Sequence, residues 1–327
     1  MPEPVRGGRP GRLAVLAVAL NVLGGLALIT ILGIYFSRRP VEAAPLPLLA
    51  KGTPRPTLTP PPTSFYLPTV TPNPLGNIVE DFSTPTPFVF ADGPEPGVIG
   101  YSVDGRPISL YTFGQGETHY LVVAGIHGGY EGNTVDLANH LLLYLHQHPE
   151  AVPSGATLYI IPDMNPDAVA RGRNAGARVN ANGVDLNRNF PTHNWVTDWD
   201  HANCWNDHPT TGGVSPGSEP ETRAVVRFIY GHRIHALISY HAAALGVFPG
   251  GTPWQPASER LADALGAVTG YPYPPLDIGC TYTGTLADWA VENGVAAAVD
   301  MELANHRDAD FARNLRALHV LLTFLAE

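Results

Sequence analysis

The chain has 327 residues, of which 44% are hydrophobic, and its 29 acidic against 19 basic residues give a net charge of −10 at pH 7. Its few Lys and Arg residues form no basic stripe outside the N-terminal flank. Nucleic-acid ligands require such a stripe, so we expect no nucleic-acid partner.

Residues 13–36 form an uncharged apolar run, LAVLAVALNVLGGLALITILGIYF. As a helix this run extends about 36 Å, which is enough to cross a hydrocarbon core of roughly 30 Å. We therefore predict one transmembrane helix. Because three arginines precede the run and two follow it, residues 1–12 are expected to be a short cytoplasmic tail and the rest of the chain to lie outside the cell membrane. A cleaved signal peptide is the alternative, with Val41-Glu42-Ala43 as a weak cleavage site.

Residues 37–97 are dense in Pro and Thr, as in TPRPTLTPPPTSFYLPTVTPNP, and show neither helical nor strand periodicity. Such a composition favours extended polyproline II and cannot build a core. We predict a disordered stalk, with a PxxP ligand for a signalling domain as the less favoured alternative. The two cysteines of the chain, Cys204 and Cys280, fit an oxidising compartment if they pair, which their spacing leaves open.

Residues 98–327 alternate apolar strands with amphipathic helices, which indicates a single domain. Strands are predicted at 107–113, 120–126, 157–161, 234–240 and 295–301, and helices at 132–147 and 218–230. A polar stretch at 163–217 interrupts the alternation, and stretches of that length inside a domain are usually functional. The pattern predicts an α/β fold with a mixed, mainly parallel sheet and helices on both faces.

Three of the predicted strands run into residues that bind metals or transfer protons. The strand YLVVAGI is followed by His127 and then Glu131, ALISY by His241, and VAAAVDM by Glu302. Ligands bind beyond the carboxyl ends of strands in open α/β sheets, so these side chains are expected to lie close together. Two imidazoles and one carboxylate suit Zn²⁺ and leave a position for water. A structural zinc site is the alternative, but such sites are usually Cys-rich and neither cysteine here has a ligand spacing.

The segment NPDAVARGRNAGARVNANGVDLNRNFP, residues 165–191, carries a more specific motif. It resembles that of the M14 zinc carboxypeptidases, carboxypeptidase A-like and of the compact bacterial type, which pairs Asn-Pro-Asp with a downstream Asp-x-Asn-Arg-Asn. The segments IGYSVDGRPI, SEPET, SYHA and MEL are similar to that family too, and they occur in the same order. The resemblance covers residues 98–327 and implies a zinc carboxypeptidase-like fold.

The resemblance implies a metal site and a base. His127, Glu131 and His241 would hold one Zn²⁺ per chain, and Glu302 would be the general base that activates water. The family usually separates its first His and Glu by two residues, whereas three residues lie between His127 and Glu131. At positions i and i+4 of a helix, the two side chains would still share a face.

The resemblance also assigns the substrate-facing residues. Asn187 and Arg188 would bind the terminal carboxylate of a peptide, for which Arg offers a planar two-pronged donor. Arg178 would stabilise the oxyanion that develops during the reaction. Asp185 would orient the ring of the first zinc-binding histidine. Tyr282, which precedes the GTLADW segment, would close over the substrate.

Together these residues predict a zinc metallocarboxypeptidase that hydrolyses the C-terminal peptide bond of a peptide or a peptidoglycan stem peptide. A muropeptide amidase, or a deacylase of the succinylglutamate desuccinylase type, shares the metal site and is the first alternative. Asn187, Arg188 and Arg178 favour the peptidase. A catalytically inactive domain that binds peptides or wall polymer is the second alternative, but such relatives typically lose a ligand or the base, and neither is missing here.

Overall fold

A computed structural model of the protein describes residues 96–198, 210–244, 246–276 and 281–326. The predicted transmembrane helix, nearly all of the predicted stalk and both cysteines lie outside these residues, so those predictions stay predictions. None of the helices in the described ranges combines the length and the apolarity that crossing a bilayer would need.

The described residues contain seven strands, which form a single sheet. Their bounds are β1 Gly97–Tyr101, β2 Pro107–Gly114, β3 Thr118–Val123, β4 Ala156–Ile161, β5 Ile234–Ala242, β6 Gly246–Pro249 and β7 Ala297–Leu303. The strand order is β1-β2-β4-β3-β5-β7-β6. The four central strands β4, β3, β5 and β7 run parallel, and the three outer pairings are antiparallel. The predicted mixed sheet is confirmed. The central four strands are parallel as expected, and the short outer strands β1 and β6 were not predicted.

Six α-helices lie in the described ranges: α1 Gly132–Gln147, α2 Pro166–Ala170, α3 Pro220–His232, α4 Pro256–Thr269, α5 Leu286–Glu292 and α6 Phe311–Thr323. Helix α1 has the predicted bounds, since Leu137, Leu141 and Leu145 recur every four residues and are all fully buried. Helix α3 begins two residues later than predicted. Its N-cap position is Glu219, and no side chain makes a capping hydrogen bond there.

Helices cover both faces of the sheet, as predicted. Leucines of α1, α4 and α6 pack with alternate residues of the central strands in one hydrophobic core. The second core, on the opposite face, contains Phe228 of α3, Trp289 of α5 and two residues of the polar stretch, Leu186 and Phe190. Burying a side chain of this size fully is worth about 1.5–3 kcal/mol, so the second core holds the polar stretch against the sheet.

The strand order places a ligand site at one edge of the sheet. After β3 the chain forms β4 on one side of β3 and later returns to form β5 on its other side. The strand order therefore reverses at β3, and in open α/β sheets ligands bind at the carboxyl ends of strands beside such a reversal. The polar stretch 163–217 begins at this edge, directly after β4.

Candidate metal centre and active-site pocket

The first two metal-site residues lie on a short turn between β3 and α1. Strand β3 ends at Val123, three residues before the predicted end, and His127 begins a 3₁₀ turn that comprises residues Gly128–Glu131. This turn brings Glu131 Oε1 to 2.8 Å from His127 Nδ1. The spacing of three intervening residues is therefore accommodated by a 3₁₀ turn, and not by the face of an α-helix that the sequence suggested.

The turn depends on a glycine. Gly128 has φ +48°, and a Cβ at this position would lie 2.2 Å from the Cβ of Ala168 in α2. Both the positive φ and the close approach exclude a side chain here. The backbone of α2 therefore fixes the path of the turn that carries the two metal-site residues.

His241 and Glu302 lie inside β5 and β7, and not beyond the strand ends as predicted. The parallel register pairs His241 with Glu302 and Ser239 with Asp300. Because side chains alternate along a strand, all four point to the same face of the sheet. The sheet itself thus positions the second histidine beside the predicted base.

The two histidines and Glu131 form a compact cluster. His241 Nδ1 lies 3.3 Å from His127 Nδ1 and 3.3 Å from Glu131 Oε2. One potential ligand atom of each residue lies within 4.8 Å of the others, and each residue is at most 4% exposed. Glu131 Oε2 is buried and takes part in no hydrogen bond within the described residues. The three residues could hold one metal ion.

The outer nitrogen of each histidine lies beside a carboxylate. His127 Nε2 is 3.1 Å from Asp185 Oδ1. His241 Nε2 is 2.9 Å from Ser239 Oγ and 3.4 Å from Asp300 Oδ1. Such partners fix the ring orientation and the tautomer, so that Nδ1 of each ring is left for a metal. Sequence reasoning missed Asp300, whose only signal is its place two residues before Glu302 in a strand.

The charges of the cluster favour a cation. Burial lowers the pKa of His241, but Asp300 and Glu131 outweigh this effect and raise it to about 10. Burial raises the pKa of Glu131, yet His127 and His241 hold it well below its usual range. Carboxylates surround the two imidazoles, and imidazole and carboxylate donors are those that Zn²⁺ prefers. The residues present therefore fit a zinc ion.

Arg178 lies against the metal cluster. Its guanidinium is 3.0 Å from Asp185 Oδ2 and 3.3 Å from Glu131 Oε1. Burial lowers the pKa of Arg178, but these two carboxylates outweigh it and the net pKa is raised. The guanidinium also stacks over the ring of Tyr130, 5.6 Å from the centroid. A permanent positive charge is thus fixed at the wall of the cluster.

Asn187 and Arg188 lie on a second 3₁₀ turn, Leu186–Arg188, which Asp185 caps by accepting a hydrogen bond from Asn187 N at 3.0 Å. Arg188 is only 5% exposed. Its Nη1 donates to Asn187 O at 2.6 Å, and its guanidinium lies 4.9 Å from the ring centroid of Tyr282. Burial lowers the pKa of Arg188, yet it stays the charged donor that a carboxylate needs.

The amide of Asn187 connects the turn to the metal cluster. Its Oδ1 accepts a hydrogen bond from Leu286 N at 2.8 Å, at the start of α5. Its Nδ2 lies 3.3 Å from His241 Nε2 and 3.4 Å from Asp300 Oδ2. Asn187 therefore contacts the residues behind the second histidine as well as lining the pocket.

A pocket of about 780 Å³ brings these residues together. Glu302 lines this pocket, and its Oε2 accepts a hydrogen bond from Ala244 N at 3.0 Å. Burial raises the pKa of the Glu302 carboxyl to about 7. Of the residues predicted for the site, only Asp185 does not line the pocket; it is fully buried behind the cluster. The predicted residues in the pocket wall are His127, Glu131, Arg178, Asn187, Arg188, His241, Tyr282 and Glu302.

Comparisons with known proteins agree with this geometry. The sequence profile "Zinc carboxypeptidase" of the Peptidase_M14 family matches residues 95–318. Murein peptide amidase A of Escherichia coli K12 is 38% identical over 37% of this chain and 48% of its own length. The catalytic chain of mouse carboxypeptidase N is 34% identical over 40% of this chain and 34% of its own. The chain thus matches about half or less of the length of these two relatives.

The same fold occurs in a solved structure. The crystal structure of murein-tripeptide amidase MpaA from Escherichia coli O157 is similar with a TM-score of 0.52 and 26% sequence identity. The similarity covers 71% of this chain and 93% of that structure. This chain thus shares the fold of that amidase structure.

Proposed function

This chain belongs to the zinc carboxypeptidase family, and from that membership and the pocket we propose that it removes a C-terminal amino acid from peptides by hydrolysis. The observation that carries the proposal is the position of Arg188. Its guanidinium lines the same pocket as the metal cluster, and the residue is only 5% exposed. A planar guanidinium can donate two hydrogen bonds to one carboxylate, so Arg188 suits the free terminal carboxylate of a peptide.

The pocket residues divide the chemistry between them. His127, Glu131 and His241 would hold zinc, which supplies a Lewis acid that polarises the scissile carbonyl and lowers the pKa of a water molecule. Glu302 takes the proton of the attacking water and delivers it to the leaving amine, a task for which its raised pKa is suited. Arg178 faces the negative charge that develops on the carbonyl oxygen.

The leaving residue is held at the other end of the pocket. Arg188 and Asn187 bind its carboxylate, and the ring of Tyr282, stacked over Arg188, covers it from solvent. The last peptide bond of a substrate is one residue away from its terminal carboxylate. Binding of that carboxylate by Arg188 and Asn187 therefore places the last peptide bond beside Glu302. This is what would make the enzyme a carboxypeptidase and not an endopeptidase.

The proposal is tested with one peptide in two forms, the free acid and the C-terminal amide. The zinc-loaded protein should cleave the free acid, and the amide should be a poor substrate. Arg188→Ala should lower kcat/KM for the free acid by about 2 kcal/mol, roughly 30-fold, and should hardly affect the amide. Arg316→Ala on α6 is the matched control, since Arg316 does not line the pocket. Equal cleavage of both forms by the wild type would refute the carboxylate clamp.

A second candidate is hydrolysis of murein peptides. It is supported by the relative and the solved structure that bear the name of a murein peptide amidase. Both candidates use the same metal site. They are separated by comparing a murein stem peptide with a linear peptide of ordinary α-peptide bonds that ends in the same residue. A large preference in kcat/KM for the stem peptide would favour the amidase.

We also propose that the catalytic domain acts outside the cell membrane, held there by the apolar run 13–36. The support is the length and the lack of charge of that run. The full chain should remain in the membrane fraction after a carbonate wash, and added protease should degrade the domain in intact cells or spheroplasts. Release by carbonate, or full protection from protease, would contradict the proposal.

A further inference from the structure

A second recess, of about 420 Å³, adjoins the catalytic pocket. Tyr130 belongs to the walls of both cavities. The recess is lined by Tyr130, Arg173, Asn174, Ala175, His306 and Arg307. None of the residues proposed to bind the terminal carboxylate or the zinc lines it, so it is a separate cavity beside the active site.

The lining of the recess contains two guanidinium groups and no carboxylate, although the chain as a whole carries a net charge of −10. Within the described residues, the guanidinium of Arg307 has no ion pair and no hydrogen bond. Arg173 Nη2 lies 2.5 Å from Asp136 Oδ2, and both side chains are about half exposed. An ion pair that is so exposed is weak, so Arg173 can also face an anion in the recess. The nearby Asp308 carboxylate accepts a hydrogen bond from Asn305 Nδ2 at 2.9 Å.

The recess lies a short distance from the reacting bond. Tyr130 contacts both Arg178 and His306: the Arg178 guanidinium lies 5.6 Å from its ring centroid, and the ring of His306, tilted by 54°, lies 4.8 Å from it. These two contacts limit the distance from the Arg178 guanidinium to the His306 ring to about 10 Å. An extended peptide rises about 3.3 Å per residue. A substrate whose scissile carbonyl faces Arg178, and whose N-terminal part extends towards His306, would therefore reach the recess with its second or third residue before the scissile bond.

We propose that this recess binds an acidic side chain located two or three residues before the scissile bond of the substrate. The inference rests on the proposed function and specifies its substrate class, peptides with Asp or Glu at those positions. Arg307 and Arg173 supply the charge, and Tyr130, which lines both cavities, separates the bound side chain from the metal site. The terminal carboxylate of the substrate is assigned to Arg188 and Asn187. These two residues line the catalytic pocket and not the recess, so the recess is left for another acidic group.

The test uses free-acid peptides of one length and one C-terminal residue, with Glu, Gln or Lys placed at these upstream positions. The wild type should prefer Glu to Gln by about threefold to tenfold in kcat/KM, the range expected for one or two partly exposed ion pairs, and Lys should be the poorest. The preference should shrink in high salt, which screens exposed charges. Affinities of the Glu302→Gln variant for the same peptides are measured in parallel, so that the recess is tested independently of turnover.

The variants assign the preference to the recess. Arg307→Gln should lower the ratio of Glu to Gln, and the double change Arg173→Gln and Arg307→Gln should bring it close to one. Arg307→Glu should reverse the order so that Lys is preferred. Arg227→Gln on α3 removes the same charge from outside both cavities and should leave the ratio as in the wild type.

The outcomes separate the recess from the proposed function. Equal rates and equal affinities for Glu and Gln peptides in the wild type, or a preference that persists in the double variant, would overturn the recess as a subsite while the carboxypeptidase proposal stands. A wild type that binds the Glu peptide more tightly but hydrolyses none of the three would refute the carboxypeptidase proposal and support the recess.

Discussion

At the scale of single residues, each histidine of the metal cluster has its Nδ1 directed at the cluster and its Nε2 beside a carboxylate. Asp185 serves one ring and Asp300 the other. A carboxylate in this position raises the basicity of the ring and fixes its tautomer, and losing such a partner typically weakens metal binding 10- to 100-fold. The two carboxylates therefore contribute to the zinc site without contacting the ion.

Asp300→Asn should weaken zinc binding by about tenfold or more, because an amide does not supply the negative charge beside His241 Nε2. The effect is measured by competition with a chelator of known zinc affinity. Asp263→Asn, an exposed change on α4, is the control and should bind zinc like the wild type. Unchanged affinity in Asp300→Asn would show that Ser239 and Asn187 are sufficient to orient the ring.

Glu302→Gln should retain zinc and lose hydrolysis. The residue lines the pocket beside the cluster but belongs to none of its ligand contacts, and Gln can neither take nor return a proton. The expected loss in kcat is on the order of 10²-fold or more. Zinc content by elemental analysis and turnover of a free-acid peptide are measured on the same sample. Turnover close to that of the wild type would remove Glu302 from the role of base.

At the scale of elements, the packing of α2 against the His127 turn can be tested with two glycines. Gly128→Ala introduces a methyl group with both an unfavourable φ and a close contact to Ala168. It should lower the free energy of unfolding by about 1–3 kcal/mol and weaken zinc binding, because the turn that carries two ligands must move. Calorimetric unfolding and zinc titration measure the two effects.

Gly172→Ala is the matched control for that change. Gly172 also has a positive φ, +79°, but no atom lies within 4 Å of the position of an added Cβ. The control therefore carries the backbone penalty without the contact, and it should keep the zinc affinity of the wild type. If both variants lose zinc equally, the close approach of α2 is not what positions the metal ligands.

The elements that could be predicted are those with an uninterrupted local pattern. Helix α1 has a four-residue repeat of buried leucines, and its predicted bounds agree with the structure. The buried strand β5 was also predicted, but its end was placed before His241, because a polar residue in an apolar run looks like a strand end. In the structure His241 continues the strand, since its backbone pairs with that of Glu302 in β7.

The parts that could not be predicted depend on pairing between distant segments. Asp300 approaches His241 only because β5 and β7 pair with Ser239 opposite Asp300, and the register between two apolar strands has no signal in either sequence alone. The same holds for the basic recess, where Arg173 and Arg307 come from loops far apart in the chain. The motif at 165–191 was sufficient to indicate the family. The contacts between distant segments, such as that between Asp300 and His241, became visible only in the folded sheet.

At the scale of the whole molecule, the metal cluster joins segments that are distant in sequence. His127 and Glu131 precede α1, whereas His241 lies more than a hundred residues later in the central strand β5. A zinc ion bound by all three would stabilise the folded domain, because the unfolded chain has no preformed site. The negative charge that Glu131, Asp185 and Asp300 concentrate in the pocket would be compensated by the same ion.

Removal of zinc should therefore lower the melting temperature of the protein. At a free zinc concentration about 100 times Kd, binding contributes about 2.7 kcal/mol, which for a domain of this size corresponds to roughly 5–10 °C in Tm. Thermal unfolding is compared with added zinc and with excess chelator. His241→Ala should show no zinc-dependent shift, since two ligands hold zinc poorly, whereas His319→Ala, an exposed change on α6, should shift like the wild type. A zinc-dependent shift that survives in His241→Ala would place the stabilising ion elsewhere in the chain.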